Sequence, residues 1–169
     1  IHHARCRRLL GDADEPVTIE IFASLVRFSF GHIVLTTKII DGKFPDYTRV
    51  VPTNYQKQFS IKRQDLLASL QRAAILSNEK FRGVRWVVGA NNLRISCTNN
   101  EQEEAQEELE IAYGGDALDI GFNITYLLDV LNNVSAEDVQ CAFGDANSSM
   151  LVTIPGNSEF RYVVMPMRI

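Results

Sequence analysis

Short apolar runs separated by small residues dominate the beginning of the chain. Residues 17–22, 25–30 and 32–40 are rich in Val, Ile, Phe and Thr, and the breaks between them fall at Ala23-Ser24 and Gly31. β-Branched and aromatic residues favour strands, whereas small residues between such runs favour turns. The pattern predicts an antiparallel three-stranded meander.

Two turn-rich segments follow the predicted meander. Residues 41–46 and 51–54 contain the Gly, Pro, Asp and Asn residues that commonly interrupt regular structure. Domain boundaries tend to fall in segments of this kind. We therefore expect the boundary near residues 46–54, with one domain at residues 1–46 and a second at residues 47–169.

Apolar residues recur at helical spacing in two places of the second domain. The stripe comprises Leu66, Leu67, Leu70 and Ala74 in residues 63–75, and Ile124, Leu127, Leu128 and Leu131 in residues 124–131. A spacing of three and four residues places such side chains on one helix face. The pattern predicts two amphipathic helices packed on a sheet, the second with Asn123 as its N-cap.

The other apolar runs of the second domain predict strands. They cover residues 83–88, 93–98, 109–113, 117–122, 139–143, 150–154 and 160–165, with turn signals at residues 89–92 and 114–115. The order is strand, helix, four strands, helix, three strands, which makes the fold α+β. By propensity alone, the Glu-, Gln- and Ala-rich residues 101–112 favour a helix instead.

One plan occurs twice along the chain. Residues 7–40 and residues 129–167 each contain a Leu-ended helix, an acidic turn and three strands of matching length. Self-similarity of this kind is typical of an architecture built from several copies of one unit.

Composition and charge narrow the class of protein. The chain is 46% hydrophobic and 22% charged, which is ordinary for a soluble globular protein. A net charge of -4 argues against nucleic-acid binding by a generally basic surface. Any role on DNA therefore requires either a local positive field or a topological link to the DNA. Cys6, Cys97 and Cys141 are odd in number and widely spaced, which favours reduced thiols in the cytoplasm.

Catalytic and metal-binding motifs are missing from the sequence. His2, His3 and Cys6 could contribute to a zinc site, but no second ligand cluster follows, and an irregular helix start is the alternative. The phosphate-loop, dinucleotide, serine-hydrolase and zinc-protease signatures are absent. We predict no catalytic activity, metal or cofactor. The rival is an enzyme whose Asp116 and Asp119 bind a metal, which a further nearby His or carboxylate would favour.

Two apolar segments are candidates for partner binding. Residues 43–52 place Phe, Pro, Tyr and Val around Arg49 at the predicted boundary, and residues 162–169 end in Met165, Pro166 and Met167. Clefts between domains favour apolar binding sites, and Met adapts to varied partners. The alternative is a buried last strand with an apolar tail.

The acidic residues 101–108 are a solvated surface or, alternatively, a cation site.

Five segments together carry a family resemblance, namely residues 41–52, 72–85, 99–113, 120–134 and 162–169. In this order they closely resemble the beta subunit of bacterial DNA polymerase III, the sliding clamp family, over residues 16–169. The resemblance implies the DNA clamp fold: three similar domains per protomer in a head-to-tail dimeric ring, each with two helices packed on antiparallel sheets. Residues 1–46 then form the second half of the middle domain, residues 47–169 form the third domain, and residues 101–112 are not helical.

The resemblance also implies a function in DNA replication. A processivity factor encircles double-stranded DNA and tethers DNA polymerase III subunits, the clamp loader, other polymerases and repair proteins through short apolar peptides. The matching pocket residues are Pro45, Arg49, Val50, Tyr126, Asn147, Ser149, Val163, Met165, Pro166, Met167 and Arg168. Asn147 stands where an apolar residue is common in the family.

Two further surfaces follow from the same resemblance. Ile75, Leu76, Glu101, Glu103 and Glu104 are expected at the ring interface, facing a basic edge of the other protomer, and the candidate DNA-facing cations are Arg63, Arg72, Lys80 and Arg82. The expected location is the bacterial cytoplasm. The alternative function is a free-standing interaction module that competes for clamp-binding peptides without forming a ring, and mass in solution distinguishes the two.

Overall fold

The computed structural model describes residues 16–39, 42, 51 and 55–169. The chain divides into two compact units, Ile1–Pro45 and Asp46–Ile169. His2, His3 and Cys6 lie outside the described residues.

The described part of the first unit is a three-stranded antiparallel sheet. It contains β1 (Thr18–Ile21), β2 (Leu25–Phe30) and β3 (Ile33–Lys38) in that order. Ile19 pairs with Phe28, and Phe28 pairs with Leu35, so these apolar side chains share one face of the sheet. The predicted meander is confirmed.

The second unit repeats one strand-helix-three-strand plan. The first copy contains β4 (Lys57–Lys62), α1 (Arg63–Ala74), β5 (Gly83–Gly89), β6 (Asn92–Thr98) and β7 (Glu104–Glu110). The second copy contains β8 (Leu118–Asn123), α2 (Ile124–Asn132), β9 (Asp138–Phe143), β10 (Met150–Ile154) and β11 (Asn157–Val164). The predicted order of elements is confirmed.

The two copies exchange their first strands. The two antiparallel sheets have the orders β7-β6-β5-β8 and β11-β10-β9-β4. Thus β4 pairs with β9, with Ile61 opposite Val139, and β8 pairs with β5, with Ile120 opposite Trp86. Each sheet therefore requires residues from both copies.

The core lies between the helices and the sheets. Helix α1 buries Leu66, Leu67, Ser69, Leu70 and Ala73, and α2 buries Ile124, Leu127, Val130 and Leu131. Both predicted stripes are therefore largely correct, and the side chain of Asn123 caps α2 by accepting the amide of Thr125 at 2.9 Å. Burial of one large apolar side chain contributes about 1.5–3 kcal/mol.

Aromatic side chains fill the centre of this core. The ring of Trp86 lies 5.5 Å from that of Phe122 and 6.5 Å from that of Phe143. These three residues come from β5, β8 and β9, so the aromatic cluster links the two sheets. Edge-to-face aromatic pairs add about 0.5–1.5 kcal/mol each beyond the burial of area.

The acidic segment departs from the prediction. The expected strand at residues 109–113 is wrong in position, because β7 covers Glu104–Glu110 and residues 111–117 form a loop. Half-buried Ala105, Glu107 and Leu109 alternate with exposed residues and pair with β6, and this cross-strand pairing overrides the helical propensity of Glu and Gln.

The predicted hairpin turn at residues 114–115 is also wrong. The loop from 111 to 117 packs against the β5–β6 turn, where the amide of Ile111 donates to the carbonyl of Asn91 at 3.2 Å. The amide of Asn91 in turn donates to the carbonyl of Tyr113 at 3.0 Å. These bonds hold the loop to a neighbouring turn, so β7 and β8 are not a tight hairpin.

A bidentate ion pair fastens β7 to α1. Nε and Nη2 of Arg72 donate to the two carboxylate oxygens of Glu107 at 2.8 and 2.5 Å, and Nη2 also donates to Oγ of Ser69 at 3.0 Å. The hydrogen bond from Arg72 is the main reason that the pKa of Glu107 lies below its usual range. The charged form of Glu107 therefore stabilises the contact between strand and helix.

Replacing the buried Leu70 tests the core. Leu70→Ala leaves a cavity beneath α1, and we expect a loss of about 2–5 kcal/mol in the free energy of unfolding. Urea unfolding followed by the fluorescence of Trp86, the chain's single tryptophan, measures it. Gln71→Ala, at the exposed neighbouring position, should change stability by no more than about 0.5 kcal/mol. Equal midpoints for both variants would contradict this packing.

The Arg72–Glu107 pair predicts a pH-dependent contribution to stability. Because folding lowers the pKa of Glu107 from 4.5, the pair stabilises the fold above that pH and loses its effect as pH falls through the folded pKa. Glu107→Gln should lower the melting temperature at pH 7, and the difference from the parent should shrink below pH 4.5. Glu110→Gln, at an exposed position of β7, is the control. A difference that stays constant down to pH 3 argues against the ion pair.

Candidate functional site

The described part of the predicted peptide pocket lies around the end of β11. Pro45, Arg49 and Val50 lie outside the described residues. The remaining members belong to the start of α2, the segment before β10, and β11 with the tail that follows it; they are Tyr126, Asn147, Ser149, Val163, Met165, Pro166, Met167 and Arg168.

Ser149 and Met165 are in direct contact. The hydroxyl of Ser149 donates to Sδ of Met165 at 3.0 Å, and 60% of Met165 is exposed. Val163 is half-buried and points away from the core, because its neighbour Val164 is buried and side chains alternate along a strand. These three residues form one surface, which we call the β11-end surface.

Tyr126 lies near β11, and Asn147 lies two residues before Ser149 in the chain. Tyr126 is 54% exposed in the first turn of α2. Burial and then the nearby Asp129 and Tyr126 raise the pKa of Tyr162, which places Tyr126 beside β11. Asn147 belongs to a turn in which its amide donates to the carboxylate of Asp145 at 2.9 Å, and the residue is exposed.

The tail after β11 turns toward the other sheet. The amide of Met167 donates to the carbonyl of Gly121 in β8 at 2.8 Å. Pro166 and Met167 are half-buried, whereas Arg168 is exposed. The tail therefore connects the β11-end surface with the sheet β7-β6-β5-β8.

The predicted ring-interface residues lie near one another at one end of the second unit. Ile75 directly follows α1 and is 79% exposed, and Leu76 is half-buried. The side chain of Asn78, just beyond, is hydrogen-bonded to Asn100 in the β6–β7 turn. That turn carries the exposed Glu101 and Glu103, and the exposed Glu104 begins β7. This end of the unit therefore combines an exposed apolar side chain with acidic groups.

The four candidate DNA-facing cations occupy different environments. Arg63 donates from Nε and Nη1 to the carbonyls of Ala136 at 3.1 Å and Leu131 at 3.0 Å, so it serves the carboxyl end of α2. Arg72 is paired with Glu107. The Lys80 ammonium lies 5.4 Å from the Phe81 ring centre, and Arg82 is half-buried with a positive φ of 52°.

The exposed faces of the two helices are not basic. Their exposed residues are Gln64, Asp65, Gln71 and Arg72 on α1, and Thr125, Tyr126, Asp129 and Asn132 on α2. Arg72 is the one cation among these exposed residues, beside the carboxylates of Asp65 and Asp129, so these faces cannot neutralise many phosphates. Strong direct binding of DNA by this face of the unit is therefore not expected.

The rival metal site receives no support from the described residues. Asp119 accepts two hydrogen bonds from Arg85, at 2.9 and 2.5 Å, and these bonds lower its pKa. Asp116 accepts the hydroxyl of Tyr113 through its main-chain carbonyl at 2.7 Å. In the described ranges, no group of three or more His, Cys, Asp or Glu residues is arranged to hold a metal ion.

The two described cysteines, Cys97 and Cys141, are buried and unreactive. Burial raises the pKa of Cys97 to about 11 and that of Cys141 to about 12. Both thiols are therefore protonated near neutral pH and poorly nucleophilic. Neither α1 nor α2, the helices of the described part, has the length and apolarity needed to cross a membrane.

Sequence reasoning missed two glycines that lie beneath the tail. Gly83 in β5 and Gly121 in β8 lie within strands, and Ile169 packs against both. A glycine inside a strand often marks the close approach of another backbone. The two glycines can be seen in the sequence, but the sequence does not show which segment approaches them.

Comparison with known proteins gives one consistent family. The protein-family model of the DNA polymerase III beta subunit, C-terminal domain, matches residues 48–168. The beta sliding clamp of Vibrio cholerae is 44% identical over 162 residues, which cover 96% of this chain and 44% of that protein. The chain thus spans less than half the length of this relative.

Solved structures agree with this match. The crystal structure of a sliding clamp from Pseudomonas aeruginosa bound to griselimycin has a TM-score of 0.75 at 46% identity, over 96% of this chain and 44% of that one. The Caulobacter crescentus pol III beta structure has a TM-score of 0.80 at 37% identity, over 98% of this chain and 45% of that one. The predicted clamp fold is thereby confirmed, and the chain belongs to the DNA polymerase III beta subunit family, the beta sliding clamps.

Proposed function

We propose that this chain is a segment of a DNA replication processivity factor. Residues 1–46 are the second half of a middle domain and residues 47–169 a third domain, within a homodimeric ring in the bacterial cytoplasm. The segment has no catalytic activity and serves as a tether between double-stranded DNA and replication or repair proteins. Family membership over most of the chain supports this proposal.

The observation that carries the proposal is the β11-end surface. An exposed Met165 beside Val163 and Ser149 is an adaptable apolar surface on a well-packed strand end. Such a surface suits Leu and Phe anchors of an extended peptide, because a few buried side chains supply most of the binding energy. A clamp that is 46% identical binds griselimycin, which supports a ligand-binding role for this family.

The proposed partners share one mode of attachment. DNA polymerase III subunits, the clamp loader, other DNA polymerases and repair proteins each present a short apolar peptide to the same pocket. We place Pro45, Arg49 and Val50 in this pocket together with the β11-end surface and residues 166–168. One adaptable pocket then serves several enzymes in turn.

Ring closure is assigned to the end that carries Ile75. The exposed Ile75 and the half-buried Leu76 supply apolar contact, while Glu101, Glu103 and Glu104 supply negative charge. Complementary charge on the opposite protomer orients the encounter and raises its rate. The partner surface is therefore a basic edge.

DNA is held by encirclement rather than by tight contacts. The chain has a net charge of -4, and the exposed faces of α1 and α2 carry one cation and two carboxylates. Weak phosphate contacts, with Arg72, Lys80 and Arg82 as candidates, permit sliding. Arg63 contributes mainly through its hydrogen bonds to α2.

Peptide binding to the full chain tests the proposal. A fluorescently labelled Gln-Leu-x-Leu-Phe peptide should bind saturably in a polarisation assay. In the Met165→Ala, Met167→Ala double variant, the dissociation constant should rise at least about tenfold, or about 1.4 kcal/mol, because two apolar contacts are lost.

The control for this experiment is Ile75→Ala. It also removes an exposed apolar side chain, but from the proposed ring interface. Its affinity for the peptide should equal that of the parent chain. No saturable binding by the parent, or equal binding by the double variant, would contradict the pocket assignment.

A further inference from the structure

The tail after β11 lies on the outer face of the sheet β7-β6-β5-β8. In β8, the buried Ile120 and Phe122 face the core, so Gly121 faces outward, and it is buried because the tail covers it. In β5, Gly83 precedes the buried Val84 and also faces outward. The register pairs Arg85 with Gly121 and Gly83 with Asn123, so the two glycines lie close together on adjacent strands.

The tail occupies the space directly above these glycines. A Cβ atom on Gly121 would lie 2.5 Å from the carbonyl oxygen of Met167 and 2.7 Å from Cγ1 of Ile169. A Cβ atom on Gly83 would lie 2.8 Å from Cγ2 of Ile169. These separations are shorter than atoms tolerate without displacement. We call Gly83 and Gly121 the glycine seat of Ile169.

Backbone conformation does not explain these glycines. The positive-φ glycines of the described residues are Gly31, Gly42 and Gly156, so the seat residues have torsions that other residues adopt. Glycine within a strand weakens it, because the unfolded chain gains freedom and no side chain packs. The close approach of the tail is therefore the reason for glycine at both positions.

The seat and one hydrogen bond together fix the tail. The amide of Met167 donates to the carbonyl of Gly121 at 2.8 Å, and Ile169 fills the space over both glycines. Met165 is fixed separately through Ser149. The two methionines of the proposed pocket are thus held by different anchors, and Met167 depends on the seat.

We infer that Gly83 and Gly121 are positioning residues for partner-peptide binding. They contact no peptide themselves, but they hold Met167 in place before the peptide arrives. A pre-ordered wall binds more tightly, because less side-chain and backbone freedom is lost on association. This inference rests on the proposed function of the β11-end surface and tail.

Gly121→Ala in the full chain tests the inference with two readouts. The dissociation constant of the labelled Gln-Leu-x-Leu-Phe peptide should rise about tenfold, since the methyl group displaces the Met167 carbonyl. Hydrogen exchange of the Met167 amide should accelerate without peptide, because its bond to Gly121 is lost. Gly89→Ala is the control, since a Cβ atom there meets no atom of the described residues within 4 Å.

A double variant separates positioning from a general loss of stability. Among the described residues, the atom that a Cβ on Gly83 would meet is Cγ2 of Ile169, so Ile169→Ala removes the clash that Gly83→Ala introduces. The peptide affinity of the Gly83→Ala, Ile169→Ala double variant should therefore equal that of Ile169→Ala alone. A purely destabilising effect of Gly83→Ala would persist in the double variant, which would overturn the inference. This pair also decides the question if Gly121→Ala does not fold.

The outcomes distinguish this inference from the proposed function. If the parent chain binds the peptide and Gly121→Ala binds it equally well, the positioning role is wrong and the pocket remains. If the parent chain does not bind, the proposed function fails and the positioning role fails with it, whatever the Met167 amide shows. Weaker binding with faster exchange at Met167, together with relief in the double variant, supports the positioning role.

Discussion

Strand β4 leaves its own copy of the repeat to complete the sheet of the other copy, and β8 does the same in return. Each exchanged strand runs directly into its helix, from Lys62 into Arg63 and from Asn123 into Ile124. The exchange therefore also brings α1 and α2 together, and Arg63 donates to the carbonyl of Leu131 in the last turn of α2. Neither copy has a complete sheet or a covered core without the other.

The exchanged strands and their helices position the two candidate binding surfaces in different copies of the repeat. The proposed ring interface combines the end of α1 with the β6–β7 turn of the first copy. The β11-end surface combines the end of β11 with the segment before β10 in the second copy. One plan thus presents an acidic end and an apolar end, because the exposed positions at strand and helix ends are free to differ while the buried stripes are not.

Local patterns explain which parts of the structure were predictable. The stripes of α1 and α2 and the N-cap at Asn123 depend on residues within a few positions, so they can be read from the sequence. The members of the β11-end surface were predicted from the family resemblance. Strand β7 was misplaced because its conformation depends on pairing with β6, with Ile95 opposite Glu107, and not on the propensity of Glu.

Distant contacts explain the rest. Arg63 looked like a surface cation, but its acceptors are 68 and 73 positions away in the sequence. The roles of Gly83 and Gly121 depend on where the tail lies, and neither residue has a local signature beyond being glycine in a strand. Both cases involve side chains or spaces whose partners are known only once the sheets have assembled.

The acidic character of β7 has a consequence for self-association. An outermost strand presents unpaired backbone groups that can join the strand of another molecule and start aggregation. In β7, Glu104 and Glu110 are exposed at the two ends of the strand, whereas Glu107 and Glu108 are ion-paired with Arg72 and Arg94. Two identical copies brought together along this edge would place like charges opposite each other, which is destabilising. The same edge thus discourages homotypic stacking in a crowded solution while it stays open to a strand of opposite charge.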